Sequence, residues 1–204
     1  DRYQLLALWG PNAVSSGPTI DSIAFDDPRA PGLGKRIMAE ARFATDIASA
    51  TNGFKVPAGT YAAHRVVLGV PEGGKDYAFG DAYPHEADFD LFDGVSFSKG
   101  CYVGQEIVAR MQHKTVVRKR VIKISGASPL TFGADIVLGE AIVGRIGTTD
   151  DKRALAMLRL DRAAEAEEKG IALSADGVRI EADAGAMRRY RDAVASKPTA
   201  ATTL

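Results

Sequence analysis

A single cysteine, Cys101, is all the thiol that this 204-residue chain contains. An internal disulfide is excluded, a self-contained cysteine-rich zinc centre is argued against, and a reducing compartment, by default the cytoplasm, is expected. The three histidines, His64, His85 and His113, lack the spacing of a metal site. An excess of one charge sign is also missing, since Lys plus Arg and Asp plus Glu both number 26. With no global basic field, neither direct nucleic-acid binding nor a membrane partner is expected. No apolar run approaches the ~20 residues of a bilayer-spanning helix, and no charged-then-apolar signal segment opens the chain. The first residues are Asp1-Arg2 rather than Met, which leaves room for a native start and a targeting segment upstream.

Apolar content is ample: 46% of the residues are hydrophobic, enough for one large domain or two smaller ones. Tyr3 to Trp9 reads as a strand stopped by Gly10-Pro11, and Thr19 to Phe25 as a second strand. Asp26 to Gly34 packs turn formers too closely for regular structure, which puts Arg29 on a loop. The stretch from Gly34 to Asn52 fits neither the helical nor the strand period. Tyr61, Arg65 and Leu68 sit at helical spacing, with Gly69 to Gly74 ending that helix, and an irregular connection runs on to Asp93.

Val103, Ile107 and Met111, with Val108 beside them, form the apolar stripe of a helix from about Tyr102 to Gln112. Past Thr115, short β-branched runs take over at 116–124, 135–138, 141–148, 154–160 and 178–181, punctuated by Gly and Asp turns at the spacing of a small barrel or sandwich. The reading is a first domain over 1–114, a β domain over 115–186 with a short surface helix at 161–169, and a solvated tail over 187–204, loose from Lys197 on.

Cys101 then falls at a helix N-terminus, where unpaired N–H groups and the positive end of the macrodipole favour a thiolate, with Lys99 adding positive charge. The alternative is a small cysteine buried at a helix start. Gly100 and Gly104 flank it, either to admit a ligand or partner or to allow a non-helical backbone. Gln105 and Glu106 read as a capping pair or as contacts to a ligand's polar edge. Arg118-Lys119-Arg120 with Lys123 suits phosphate or a polyglutamate tail, but alternating exposure along a barrel strand explains these residues as well.

The segment Lys99-Gly100-Cys101-Tyr102-Val103-Gly104-Gln105-Glu106 resembles the signature of the folate-binding family that includes bacterial YgfZ and a mitochondrial iron–sulfur assembly factor, and that is related to the glycine cleavage T protein. The resemblance runs back through Gly94-Val95-Ser96-Phe97 and forward through Ile107-Val108-Ala109-Arg110 to Arg118-Lys119-Arg120. Asp27-Pro28-Arg29 with Leu33-Gly34, and His64-Arg65 with Gly69-Val70-Pro71-Glu72-Gly73, are weaker matching blocks.

The resemblance implies an α+β fold: a glycine-cleavage-T-like folate-binding body, lacking its N-terminal part in this chain, followed by a small C-terminal β-barrel. The implied function is that of a tetrahydrofolate-binding accessory protein for iron–sulfur cluster assembly or repair. It would act through Cys101 with an A-type iron–sulfur carrier, sharing a [2Fe–2S] cluster, and would support tRNA modification indirectly. The implied working residues are Cys101, Lys99, Gln105 and Glu106, with Arg65, Glu86, Tyr102 and Arg110 toward folate and Cys101 as a shared metal ligand. The rival reading is a folate-dependent aminomethyltransferase. Val67 stands where those enzymes carry an acid, and Glu86 in Pro84-His85-Glu86-Ala87 is the replacement pocket acid or an exposed loop glutamate.

Overall fold

The computed structural model describes residues 2–10 and 21–196. The chain divides into two compact units, Asp1–Val70 and Pro71–Leu204. In the first, β1 (Tyr3–Leu8), β2 (Ser22–Asp26) and β3 (Lys35–Glu40) form an antiparallel sheet in the order β1-β3-β2. Pairing of Leu5 and Ile23 with Met38 fixes the register. That register sends Leu6, Leu8, Ile37 and Ala39 to one face, where they pack with Phe43 and Ile47. Leu5, Ile23, Phe25 and Met38 lie exposed on the other.

The stretch that fitted neither period is two elements in succession, β3 and then α1 (Ala44–Ala50), joined by a 3-10 turn at Ala41–Phe43. The period changes from two to 3.6 inside it, so no single template matches. Helix α2 (Ala58–Leu68) ends at Gly69, whose φ of 76° supplies the left-handed cap. The expected strand over 19–25 begins, in its described part, at Ser22, and its first residues lie outside the described ones.

The second unit carries α3 (Gln105–His113) and a closed six-stranded barrel of β4 (Lys119–Gly126), β5 (Asp135–Leu138), β6 (Ala141–Asp150), β7 (Arg153–Arg159), β8 (Leu173–Ala175) and β9 (Val178–Ala182). Their order is β4-β7-β6-β5-β8-β9, and β4–β9 pairing closes the ring. Ile122, Ile136, Ile146 and Leu158 fill the interior, as β-branched alternation predicts. Helix α4 (Leu160–Lys169) follows β7 and stops at left-handed Gly170. The barrel and the α+β class hold as expected; the three-residue β8 had too little sequence to signal itself.

Two boundaries move. Residues 187–195 are not a solvated tail: they belong to α5 (Ala184–Ala195), capped by Asp183 Oδ1 accepting from Ala186 N at 2.8 Å. Met187 is fully buried in the barrel cluster, with Tyr190 packed against it. The run of arginines masked this narrow apolar stripe. The expected loose tail from Lys197 lies outside the described residues.

Residues 71–114, assigned from sequence to the first domain, fall in the same compact unit as the barrel. Val121 N donates to Glu86 O at 2.9 Å, and Thr148 N donates to buried Asp76 Oδ1 at 2.7 Å. The β6–β7 register slips between Ile146 and Thr149, which is what turns the Thr148 N–H away from the ladder toward Asp76. Glycine is required at the neighbouring Gly147, because a Cβ there would sit 2.8 Å from the Asp76 Cα.

Candidate functional site

Cys101 is exposed and lies in a non-helical segment ahead of α3. The helix starts at Gln105, with Gly104 as N-cap at φ 88°. The expected start at Tyr102 is therefore corrected, and Cys101 is not a first-turn residue. A left-handed glycine at Gly104 ends any possibility of continuous helix back to the cysteine. Gly100 is also left-handed at φ 86°, and nothing approaches within 4 Å of where either glycine's Cβ would be. Of the two reasons considered for these glycines, backbone conformation is the one the geometry supports.

Lys99 does not stand as a bare charge beside the thiol, since its Nζ sits 4.6 Å from the centre of the Tyr102 ring, a cation–π contact. Gln105 Oε1 accepts from Tyr102 N at 3.2 Å, a bond back to the segment before the helix, while the N-cap carries no side-chain cap. Glu106 lies exposed in the first turn of α3, where a carboxylate suits the macrodipole. Arg110 is exposed on the same helix. The apolar stripe also departs from expectation: Val108 is buried, whereas Ile107 is half-exposed and Val103 fully exposed. With Phe97, also half-exposed, these residues bracket Cys101 in sequence with unburied apolar side chains.

Arg65 and Glu86 are used internally. Arg65 is 1% exposed, and its Nη1 donates to Val70 O at 2.8 Å. Glu86 Oε2 accepts from Tyr83 N at 3.0 Å and lies 3.4 Å from Lys119 Nζ. Neither presents a free group to a ligand, and they belong to different compact units. In the first unit, buried Asp27 accepts from Arg29 and Arg36, while Arg36 also donates to Tyr61 Oη at 2.8 Å. Burial pushes the Asp27 carboxyl up, but the hydrogen bonds from Arg29 and Arg36 outweigh it and hold it well below the usual carboxylate range. His64 stacks on Trp9 and reaches Gly32 O at 2.8 Å. This cluster clamps the 26–34 loop.

The polar centre that sequence reasoning missed lies between the barrel and the residues before the cysteine. Arg120 on β4 donates through Nη1 to His85 O, Asp88 Oδ1 and Asp90 Oδ1, and through Nη2 to Asp90 Oδ2. His85 Nε2 meets Gln112 Oε1 of α3 at 2.9 Å, and its ring lies 6.1 Å from that of Phe97. One arginine thus ties the barrel to the segment whose His85 meets Phe97 before the cysteine and Gln112 far along α3. From sequence, Arg120 was one member of a basic run, and its partners stand 30 or more residues away, so no local pattern marks it.

One guanidinium serves two carboxylates here, and Asp90 takes the bidentate share. Burial pushes Asp88 up from 3.8 to about 6, against the hydrogen bond and charge of Arg120. The folded carboxyl then holds its proton more tightly than the unfolded chain does. The stability this group contributes is full below about pH 4 and is lost as pH rises through about 6, amounting to about 3 kcal/mol. Asp88→Asn is expected to flatten that part of the profile in denaturant titrations between about pH 4 and pH 7. Parallel profiles for parent and variant would show that Asp88 does not titrate there.

Among the described residues, no group of three or more His, Cys, Asp or Glu side chains could hold a metal ion, and no helix is long and apolar enough to cross a membrane.

Residues 118–186 match the family described as CAF17, C-terminal beta-barrel domain. The chain is 39% identical over 123 residues to the mitochondrial iron–sulfur cluster assembly factor IBA57 homolog of Mycosarcoma maydis, covering 60% of this chain and 30% of that protein. It is 38% identical over 110 residues to the Neurospora crassa homolog, covering 52% and 25%. Against human mitochondrial IBA57 the identity is 34% over 131 residues, covering 64% and 36%. These matches span about a quarter to a third of the relatives' own length. Because the relatives are mitochondrial by name, the expected cytoplasmic location is corrected. One unpaired cysteine argues only for reducing conditions, which are not confined to the cytoplasm.

Proposed function

We propose that this chain, similar in its barrel to the CAF17 C-terminal domain and over 123 to 131 residues to IBA57 proteins, is an accessory protein for assembly or repair of iron–sulfur clusters, with Cys101 meeting the cluster cargo or its carrier. The observation that carries this reading is the exposed Cys101 thiol on a non-helical segment held by two left-handed glycines. A thiol presented this way is reachable by a second protein.

A [2Fe–2S] cluster takes four ligands, commonly thiolates. One cysteine, with no group of three or more metal-ligating side chains among the described residues, leaves this chain a single thiolate to offer. The cluster is then shared cargo, and the partner proposed is an A-type iron–sulfur carrier that brings cysteines of its own. Exposed Phe97, Val103 and Ile107, which flank the cysteine in sequence, provide apolar surface for docking. Support of tRNA modification is indirect, through radical enzymes that depend on clusters.

Tetrahydrofolate enters the proposal through the family resemblance alone. Arg65 and Glu86 do not suit it, being committed to Val70 O and to Tyr83 N, and no step is built on it. Tyr102 and Arg110 remain the folate candidates at the surface of the cysteine segment. Nothing favours the aminomethyltransferase: the position expected to hold an acid is Val67, exposed on α2, and Glu86 caps a turn.

Anaerobic mixing of the chain with a cluster-loaded A-type carrier, followed by size-exclusion chromatography, tests the reading. A heteromer with cluster absorbance that is lost in Cys101→Ala is expected. Stoichiometric cluster on the chain by itself, or an equally stable cluster-bearing heteromer with Cys101→Ala, overturns it.

A further inference from the structure

Residues 71–98 carry seven acids against one lysine, Lys75, and no arginine. Most of that charge is used inside the second unit. Glu72 pairs with Lys75, Glu86 with Lys119, and Asp88 and Asp90 with Arg120, while buried Asp76 accepts from Glu72 N and Thr148 N. Asp81 and Asp93 are exposed and take no part in these pairs, so they give the surface of this segment a negative sign.

The same segment leaves aromatic side chains uncovered. Phe79 is 80% exposed and Phe89 38%. Tyr77 links them: its ring centre lies 6.4 Å from each, and its plane is turned 77° and 76° from theirs, the edge-to-face arrangement that ring quadrupoles favour. Both phenylalanines are held in place. The Phe79 ring lies against Gly73 and Gly74, where a Cβ on Gly73 would overlap it, and this turn is fixed to the barrel through Asp76 and Thr148. Phe89 stands between Asp88 and Asp90, the two carboxylates that Arg120 bonds. Each ring also shares a hydrogen-bonded turn with one of the exposed acids. Asp81 N donates to Ala78 O at 3.4 Å around Phe79, and Gly94 N, next to Asp93, donates to Phe89 O at 2.9 Å.

We propose that the Tyr77, Phe79 and Phe89 surface docks an arginine-bearing segment of a partner protein. A ring as exposed as Phe79 adds little to the core, and its anchoring gives it one fixed position at no cost on binding. A guanidinium suits such a place: it stacks flat on an aromatic face while its N–H groups bond a carboxylate, here Asp81 or Asp93. A purely apolar partner would take those carboxylates out of water with no cation to meet them, and nucleic acid phosphates would be repelled by them. This surface uses none of the residues of the cluster proposal and stands or falls separately from it.

The probe is a short capped peptide with two arginines separated by glycine, titrated into the isotope-labelled 204-residue chain. Its counterpart carries citrulline at both positions, which keeps the planar shape and removes the charge. Saturable shifts of the amide resonances of residues 77–94 are expected with the arginine peptide. Binding should be about tenfold weaker for the citrulline peptide and about fourfold weaker in Phe79→Ala. Phe79 is too exposed for its truncation to unfold the chain, and barrel resonances that match the parent's will show it. Absence of saturable shifts in this segment, undiminished binding in Phe79→Ala, or equal binding of the citrulline peptide each overturns the site.

Discussion

Cys101→Ser is expected to abolish complementation of a strain lacking the corresponding gene while leaving the melting temperature within roughly 2 °C of the parent. The side chain is exposed, so removing its sulfur takes little from the folded state. The chemistry, by contrast, has no substitute. Soft thiolate is the ligand that iron–sulfur clusters select, and a serine hydroxyl stays protonated at neutral pH. Pairing the melt with complementation separates a folding defect from a functional one. A variant that melts normally and complements fully would remove Cys101 from the proposed role.

The second large effect is expected at Arg120. Replacing it with Met keeps the volume but leaves Asp88 and Asp90 without the guanidinium that bonds both. Breaking a buried charge pair from one side costs about 3–5 kcal/mol, a fall in melting temperature of roughly 10 °C for a chain of this size. Truncating the carboxylates as well, in Arg120→Met with Asp88→Asn and Asp90→Asn, is expected to restore a large part of that loss, because no charge is then left stranded. If the triple variant melts no higher than Arg120→Met, the cost lies in packing or in the bond to His85 O rather than in uncompensated charge. The effect should reach beyond the barrel. The segment that Arg120 holds also bonds α3 through Gln112 and carries the ring that meets Phe97, so the cysteine loop should exchange its amide hydrogens faster in Arg120→Met.

Local patterns were enough for the barrel. Its runs of β-branched residues and the Gly and Asp turns between them carry a period-two signal of their own, and five of its six strands fall where those runs predict. The cysteine octet was legible for the same reason: eight contiguous residues hold it. Glycine placement likewise ended α2 at Gly69 and α4 at Gly170, since a left-handed cap is a property of one residue.

What escaped was whatever depends on residues far apart in sequence or on which of two faces is covered. Val103 and Ile107 have helical spacing with Met111, but only packing decides that Val108 is the buried member and that the helix begins past a left-handed Gly104. Arg120 looked like one cation in a basic run until the chain brought Asp88 and Asp90 to it. Arg65 looked available to a ligand until burial turned it onto Val70 O. Met187 looked like part of a charged tail until folding buried it in the barrel's apolar cluster. Sequence determined the elements whose stabilising interactions are local or periodic. The tertiary structure alone decided where charge is buried and compensated, because that energy arises only when distant groups leave water together.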